Sequence, residues 1–286
     1  MKRIIVLFGV LTLLLTACTQ KTSLNQNVAS EEPPAPSQEQ VEKQVPQYVF
    51  EGTFFAEDHI LRDSGEVIGY YRYELPQMTV GNEGSLSEAD RTAALHSAEV
   101  FNARMNELLE EAVRYGAEML EDQKLLEEEE PVAFVVCDEL SSTVYRSGQI
   151  VSVVSQCYFY GGGAHPNSYT LTHTFDLSAG QFIDPAQIGD DPEGFRVAAA
   201  ELLIEHAESF DEDYTEGYWA DYRDIISRWN ETAVLFDEKG MTVIFSAYEL
   251  GPYAMGPVEL SLTYEELADV IGEGGLTHLG VLNETE

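Results

Sequence analysis

Residues 133–159, AFVVCDELSSTVYRSGQIVSVVSQCYF, decide how this chain folds. Segments 133–145 and 149–159 both read as strands, rich in the β-branched and aromatic residues that suit a pleated surface. Between them, Arg146-Ser147-Gly148 reads as a three-residue hairpin loop with its glycine in the left-handed conformation. In that register Cys137 faces Cys157, so the two thiols are candidates for a disulfide. A slip of one residue would put them on opposite faces, and two buried free thiols are the alternative.

Working outward from the hairpin, segments 49–61 and 67–80 are aromatic-rich strands separated by the turn Asp63-Ser64-Gly65. Ser85 with Glu88 has the form of a capping box. It opens a long helix to about residue 126, in which Leu95, Ala98, Phe101, Met105, Leu108, Ala112 and Met119 recur at three- and four-residue steps. The acidic run 127–130 reads as solvated, and Pro131 closes the helix. Beyond the hairpin, 169–175 alternates as a strand and 176–180 turns. A helix starts at Asp191-Pro192-Glu193, and a Tyr/Trp-rich helical stretch covers 214–229. Strands at 233–236, 241–247 and 258–262 follow, then a short helix begun by Thr263 with Glu266 three residues later. Strands and helices come in clusters rather than in strict alternation. That pattern predicts an α+β fold with antiparallel sheets packed against helices. It divides the chain into two small subdomains, 47–130 and 131–271, and a flexible tail, 272–286.

The start of the chain has a different character. Lys2 and Arg3 precede an apolar run, 4–15, which is shorter than the roughly 20 residues needed to span a bilayer. It fits the core of a cleavable signal peptide, 1–17. The ending Leu15-Thr16-Ala17-Cys18 resembles the lipobox of bacterial lipoproteins, which implies a lipid on Cys18 and an anchor on the outer face of the cell membrane. Residues 18–46, rich in Gln, Ser, Glu and Pro, read as a disordered tether whose mean reach is on the order of 30 Å.

Charge narrows the partners. The chain holds 51 acidic and 15 basic residues, a net charge of −36, and loss of the signal would remove two of the positive charges. Nucleic acid is excluded as a partner, because its phosphates need Lys and Arg. An anionic membrane would repel the domain, leaving the lipid to hold it. A cationic protein or peptide would be attracted over long range.

Two further segments carry a resemblance. One is YFYGGGAHPNSY, 158–169, continuing through Asp176-Leu177 to Gly180. The other is FSAYELGPYAMGP, 245–257, leading into LTYEEL, 262–267. Their Gly-Gly-Ala-His and Tyr-Glu-x-x-Pro-Tyr-Ala-x-Gly patterns resemble the RsiV-like extracellular domain, domain-of-unknown-function family 3298. Residues 49–130 resemble the companion domain of PdaC-type peptidoglycan deacetylases. The resemblance implies a cell-envelope binding or sensor domain, with lysozyme as the candidate ligand. The anti-sigma segment of RsiV-like proteins and the deacetylase domain of PdaC have no counterpart here.

On that basis the candidate recognition loops hold Gly162, Gly163, His165, Asn167, Tyr248, Glu249, Pro252, Tyr253 and Gly256. Glycine permits backbone conformations closed to other residues. His165 precedes Pro166 and is therefore held extended, where its ring would cap a loop by bonding to backbone or to Glu249. No Gly-x-Ser-x-Gly, His-Glu-x-x-His or Cys-x-x-Cys motif is present. Convergence of His165, His173 and Asp176 on a metal would require a fold-back, so no metal and no cofactor is expected. The chain reads as a non-enzyme. The alternative is a peptidoglycan-directed enzyme or accessory factor with His165, Glu249 and Tyr253 in one pocket.

Overall fold

The computed structural model describes residues 44–209 and 217–282. The signal, Cys18 and nearly all of the tether lie outside them. The order is β1 (Tyr48–Leu61), β2 (Val67–Val80), α1 (Glu88–Glu129), β3 (Val136–Ser147), β4 (Ile150–Tyr160), β5 (Asn167–Asp176), β6 (Gln181–Ile183), α2 (Pro192–Ser209), α3 (Tyr222–Ile226), β7 (Ala233–Phe236), β8 (Gly240–Phe245), β9 (Val258–Thr263) and α4 (Tyr264–His278). The architecture is α+β: a six-stranded sheet in the order β1 to β6, a three-stranded sheet β7-β8-β9, and helices packed against them.

The sheet is mixed, not purely antiparallel. β2 pairs with β3 in parallel, Gly69 opposite Val136 through Glu74 opposite Ser141. A parallel pair needs a long crossover, and the 42-residue α1 supplies it. The expected boundary at 130/131 therefore falls between two hydrogen-bonded strands of one sheet, and the described residues form a single compact unit. α1 begins at Ser87, whose side chain accepts from the Asp90 N–H at 3.1 Å, rather than at Ser85. Glu128, Glu129 and Glu130 are exposed as expected, but Glu127 is tied down: Arg62 Nε and the Val132 N–H both donate to its carboxylate, at 2.6 and 2.8 Å. The Arg62 bond holds that carboxyl below its usual range.

The first half of β4, residues 150–155, is buried on both faces, its serines included, while Gln156 and Tyr158 beyond it are exposed. Val151 and Val153 join a core with Phe101, Met105 and Phe175 beneath α1. On the other face, Ile150 and Val154 pack toward the second sheet. There the edge strand β7 lies across the sheet face. Its outward Val234 and Phe236 N–H groups donate to Thr172 Oγ1 and Ser152 Oγ at 2.8 and 3.0 Å. Hydroxyls on one sheet thus satisfy the open edge of the other, which would otherwise cost the desolvation of two amides.

Two further expectations are corrected here. The β3–β4 turn has two residues, Gly148-Gln149, with Ser147 opposite Ile150. Gly148 takes φ 54°, and any Cβ there would run into the His278 carbonyl. The register consequently places Leu140, not Cys137, opposite Cys157, and Cys137 opposite Tyr160. An odd offset reverses the face, so the two cysteines sit on opposite sides of the sheet as buried free thiols. The expected tail, 272–286, is also structured over its described part, 272–282. α4 starts with the anticipated Thr263–Glu266 capping box and kinks at Gly272. It restarts with the Gly274 and Gly275 N–H groups donating to Asp190, at 3.1 and 3.0 Å. Leu276 and Leu279 are buried, and the Gln149 N–H donates to His278 O at 2.9 Å. The anticipated helix over 214–229 is broken into α3 and a short turn at Trp229–Glu231; residues 210–216 lie outside the described residues.

Candidate functional site

The two loops singled out by resemblance meet. The first leaves β4 after Tyr160, with Gly162 at φ 87° and Gly163 at φ 110°. A Cβ on Gly162 would press on the Phe134 ring at 2.7 Å, so close packing also requires glycine there. Tyr160 OH donates to Gly163 O at 3.2 Å, fixing the loop's curl. His165 Nδ1 lies 2.9 Å from Pro166 O and Nε2 lies 3.3 Å from Tyr248 OH. One neutral tautomer satisfies both contacts, with Nδ1–H donating and Nε2 accepting. The His165 ring stacks on Tyr253 with centroids 3.8 Å apart and planes 15° from parallel. Tyr248 completes the cluster, 5.4 Å from Tyr253.

The second loop is braced from inside. The Thr170 N–H of β5 donates to Ser246 Oγ at 3.1 Å. Ser246 N–H donates to the Glu249 carboxylate, which Thr232 Oγ1 also approaches at 3.3 Å. Trp219 Nε1 donates to Tyr248 O at 3.0 Å, and the Trp219 N–H to Leu250 O at 2.7 Å. These restraints hold Tyr248 at φ 75°, the one positive value for a non-glycine among the described residues. For a bulky side chain that region is a strained outlier, yet the ring is half exposed. Pro252, at φ −66°, then starts the short turn Tyr253–Met255, which Gly256 ends at φ 75°.

The structure thus unites His165, Tyr248 and Tyr253 and separates two of the expected companions. Glu249 binds its own loop rather than His165. Asn167 lies opposite Phe159, whose side chain packs on the α1 side of the sheet, away from the cluster. Nor do His165, His173 and Asp176 converge. His173 is half-buried on the α1 side against Phe182, and desolvation pushes its imidazole pKa down. Asp176 pairs with His278 at 3.1 Å. Among the described residues no group of three His, Cys, Asp or Glu side chains could hold a metal.

Neighbours of the cluster that sequence reasoning missed are Tyr158, Tyr160 and Trp219. Strand register puts Tyr158 in a row crossing the sheet on the face away from α1: Glu57, Arg72, Glu139, Tyr158 and Ser168 are successive partners. Beside it, Tyr70 OH donates to Glu139 at 2.7 Å, which pushes the phenol pKa up. The alternation of tyrosines at 158 and 160 was the available signal, but its meaning depended on knowing which face stays open. Between this face and the second loop lies a cleft of about 350 Å³.

Residues 199–265, from within α2 to the start of α4 and including the whole second loop, match the model of a family described as "Protein of unknown function (DUF3298)". This segment is similar to the DUF3298 family. The likeness in fold reaches beyond it. A solved DUF3298 family protein from Bacteroides fragilis aligns with 84% of this chain and 98% of its own, at 17% identity and TM-score 0.58. At that identity it shows a shared fold and nothing more. Another DUF3298 family structure, from Pseudomonas aeruginosa, covers 82% of this chain and 97% of its own at 13% identity and TM-score 0.46. No curated protein matches the chain. The glycine loop at 161–166 lies outside the matched segment yet packs on it through the His165–Tyr253 stack.

Proposed function

We propose that the chain is a non-catalytic binding protein of the cell envelope, lipid-anchored through Cys18, and that the His165–Tyr248–Tyr253 cluster is its recognition surface. The ligand is a cationic protein, lysozyme being the candidate that the RsiV-like resemblance points to. One observation carries the reading: two loops distant in sequence meet in a half-exposed aromatic stack beside a strained tyrosine, on a chain of net charge −36. Exposed aromatic anchors ringed by polar groups are the usual centre of a protein interface. A strongly negative chain speeds approach of a basic partner over long range. The enzyme alternative is weakened because Glu249, its carboxylate, is spent inside its own loop.

The test is binding of the full chain to hen lysozyme at two salt concentrations. A saturable 1:1 complex is expected, micromolar or tighter, weakening about tenfold or more between low and high salt. Tyr253→Ala should weaken it at least about tenfold, as loss of an interface anchor does. Absence of saturable binding would remove lysozyme as the ligand. Labelling with a radioactive fatty acid, present in the full chain and lost in Cys18→Ala, tests the anchor separately.

A further inference from the structure

From the cleft beside Tyr253, we infer a second binding site, for a neutral saccharide. The cleft is formed by Gln156, Ser168 and Thr170 of the open sheet face and by Ser246, Tyr253 and Met255 of the second loop. Its volume, about 350 Å³, lies within the roughly 300–1,000 Å³ of small-molecule sites.

Its lining is unusual for this protein. Of 286 residues, 51 are acidic, yet none of the eleven that line the cleft carries a charge. Other clefts on the described residues do carry charges. Asp90 and Arg146 line one, Glu121 and Lys124 another, and Glu74 and Glu139 a third. An ionic ligand would find no counter-charge here, which leaves neutral ligands.

The polar groups narrow the class further. Gln156 Oε1 accepts from Thr170 Oγ1 at 3.3 Å, which orients the amide and leaves its NH2 to donate. Hydroxyls of Ser168, Ser246 and Tyr253 can donate and accept. Tyr253, Met255 and Pro257 supply an apolar wall. Hydroxyls and amides beside an aromatic wall match a sugar ring, which presents hydroxyls at its rim and C–H groups on its faces. A neutral peptide fits less well. It would dock through strand hydrogen bonds, and the Thr170 N–H that could offer one already donates to Ser246 Oγ at 3.1 Å.

The site shares Tyr253 with the recognition cluster but does not rest on the lysozyme reading, and salt separates the two. Lysozyme binding should fade with salt; saccharide binding should not, since no charge lines the cleft. The experiment is titration of the full chain with cellotetraose, maltotetraose and chitotetraose, by calorimetry and saturation-transfer NMR, at 50 and 500 mM NaCl. The expected result is saturable binding of at least one sugar, unchanged within about twofold across that range, and weakened at least about tenfold by Tyr253→Ala and by Gln156→Ala. Gln156 is exposed, so its variant carries the test if Tyr253→Ala fails to fold. The proposal is overturned if no sugar saturates at 10 mM, if salt abolishes the binding, or if a folded variant binds as well as the parent. It is overturned equally if tetra-alanine saturates and no sugar does.

Discussion

Two aromatic clusters in this molecule use ring contact for different ends. Under α1, Phe101 meets Phe50, Phe175 and Phe182 at centroid distances of 5.5, 5.4 and 5.8 Å. Phe101 and Phe175 are fully buried. On the surface, Tyr253 meets His165 and Tyr248 at 3.8 and 5.4 Å. The first cluster has no polar atom to satisfy and no residue at positive φ. The second carries hydroxyl and imidazole groups, half-exposed rings and a residue at positive φ. Ring contact alone therefore does not tell stability from recognition; burial, polar handles and backbone strain do.

The largest test of that contrast is to truncate both clusters. Phe101→Ala should cost about 3–5 kcal/mol. For a unit of this size that lowers the melting temperature by roughly 10 °C or more. Tyr253→Ala should cost less than about 1 kcal/mol, because its ring is only partly buried and leaves no sealed cavity. Equal melting-temperature losses would break the comparison.

Ser152→Ala probes a buried polar contact that serves structure alone. It leaves the Phe236 N–H without its acceptor and should destabilise by about 1–3 kcal/mol in denaturant titration, with lysozyme binding unchanged. Tyr248→Gly sharpens the contrast from the other side. Relief of the left-handed strain, about 1–2 kcal/mol, should outweigh glycine's entropic cost of about 0.5–1 kcal/mol. The variant should melt slightly higher than the parent while binding lysozyme more weakly. A lower melting temperature would show that the Tyr248 ring supports the fold.

The smallest effect is a pH dependence at the edge of the buried cluster. Burial pushes Asp176 up, but hydrogen bonds from His278, Ser178 and the Ala179 N–H outweigh it and bring its pKa to about 2. His278 is raised, chiefly by its bond to Asp176 and against the pull of burial. The depressed carboxyl contributes stability above its ordinary pKa near 4, lost as pH falls toward 2. The raised imidazole contributes below its ordinary pKa near 6.5, lost as pH rises through its higher folded value. Melting temperature should therefore be highest between about pH 4 and 6.5. His278→Gln should flatten the alkaline side by about 1 kcal/mol or less, since the pair is partly solvated.

Local patterns were legible in the sequence where one element decided them. The strands flanking Asp63-Ser64-Gly65 and the Thr263–Glu266 box form as read, and the helical stripe does so from Ala98 to Met119, while Leu95 at its start faces outward, exposed. What depended on distant partners was not legible. A two- and a three-residue loop around Gly148 both suit the hairpin, and only the packing of His278 against that glycine selects the tighter turn. That choice moved the cysteines apart. The parallel pairing of β2 with β3 likewise leaves no local mark, so the helix between them looked like the end of a subdomain. At the candidate site, Gly162, Gly163 and Gly256 take the positive φ that their composition suggested. The inward turn of Glu249 could not be seen, because its partner Thr232 lies on a different segment.

The packing of α4 on the Gly148-Gln149 turn has a consequence for the order of folding. The central hairpin forms from neighbouring residues, but its cover is the 276–282 segment, more than a hundred residues later in synthesis. Until that segment emerges, Ser147 and Gln149 lack their partners at Leu279 and His278, and the face around Ile150 stays wet. Closure of so long a loop, together with the parallel β2–β3 pairing, places the protein among slow, non-local folders, on the millisecond-to-second scale. A nascent chain of this design stays open to chaperones, and to proteases, until its last helix has docked.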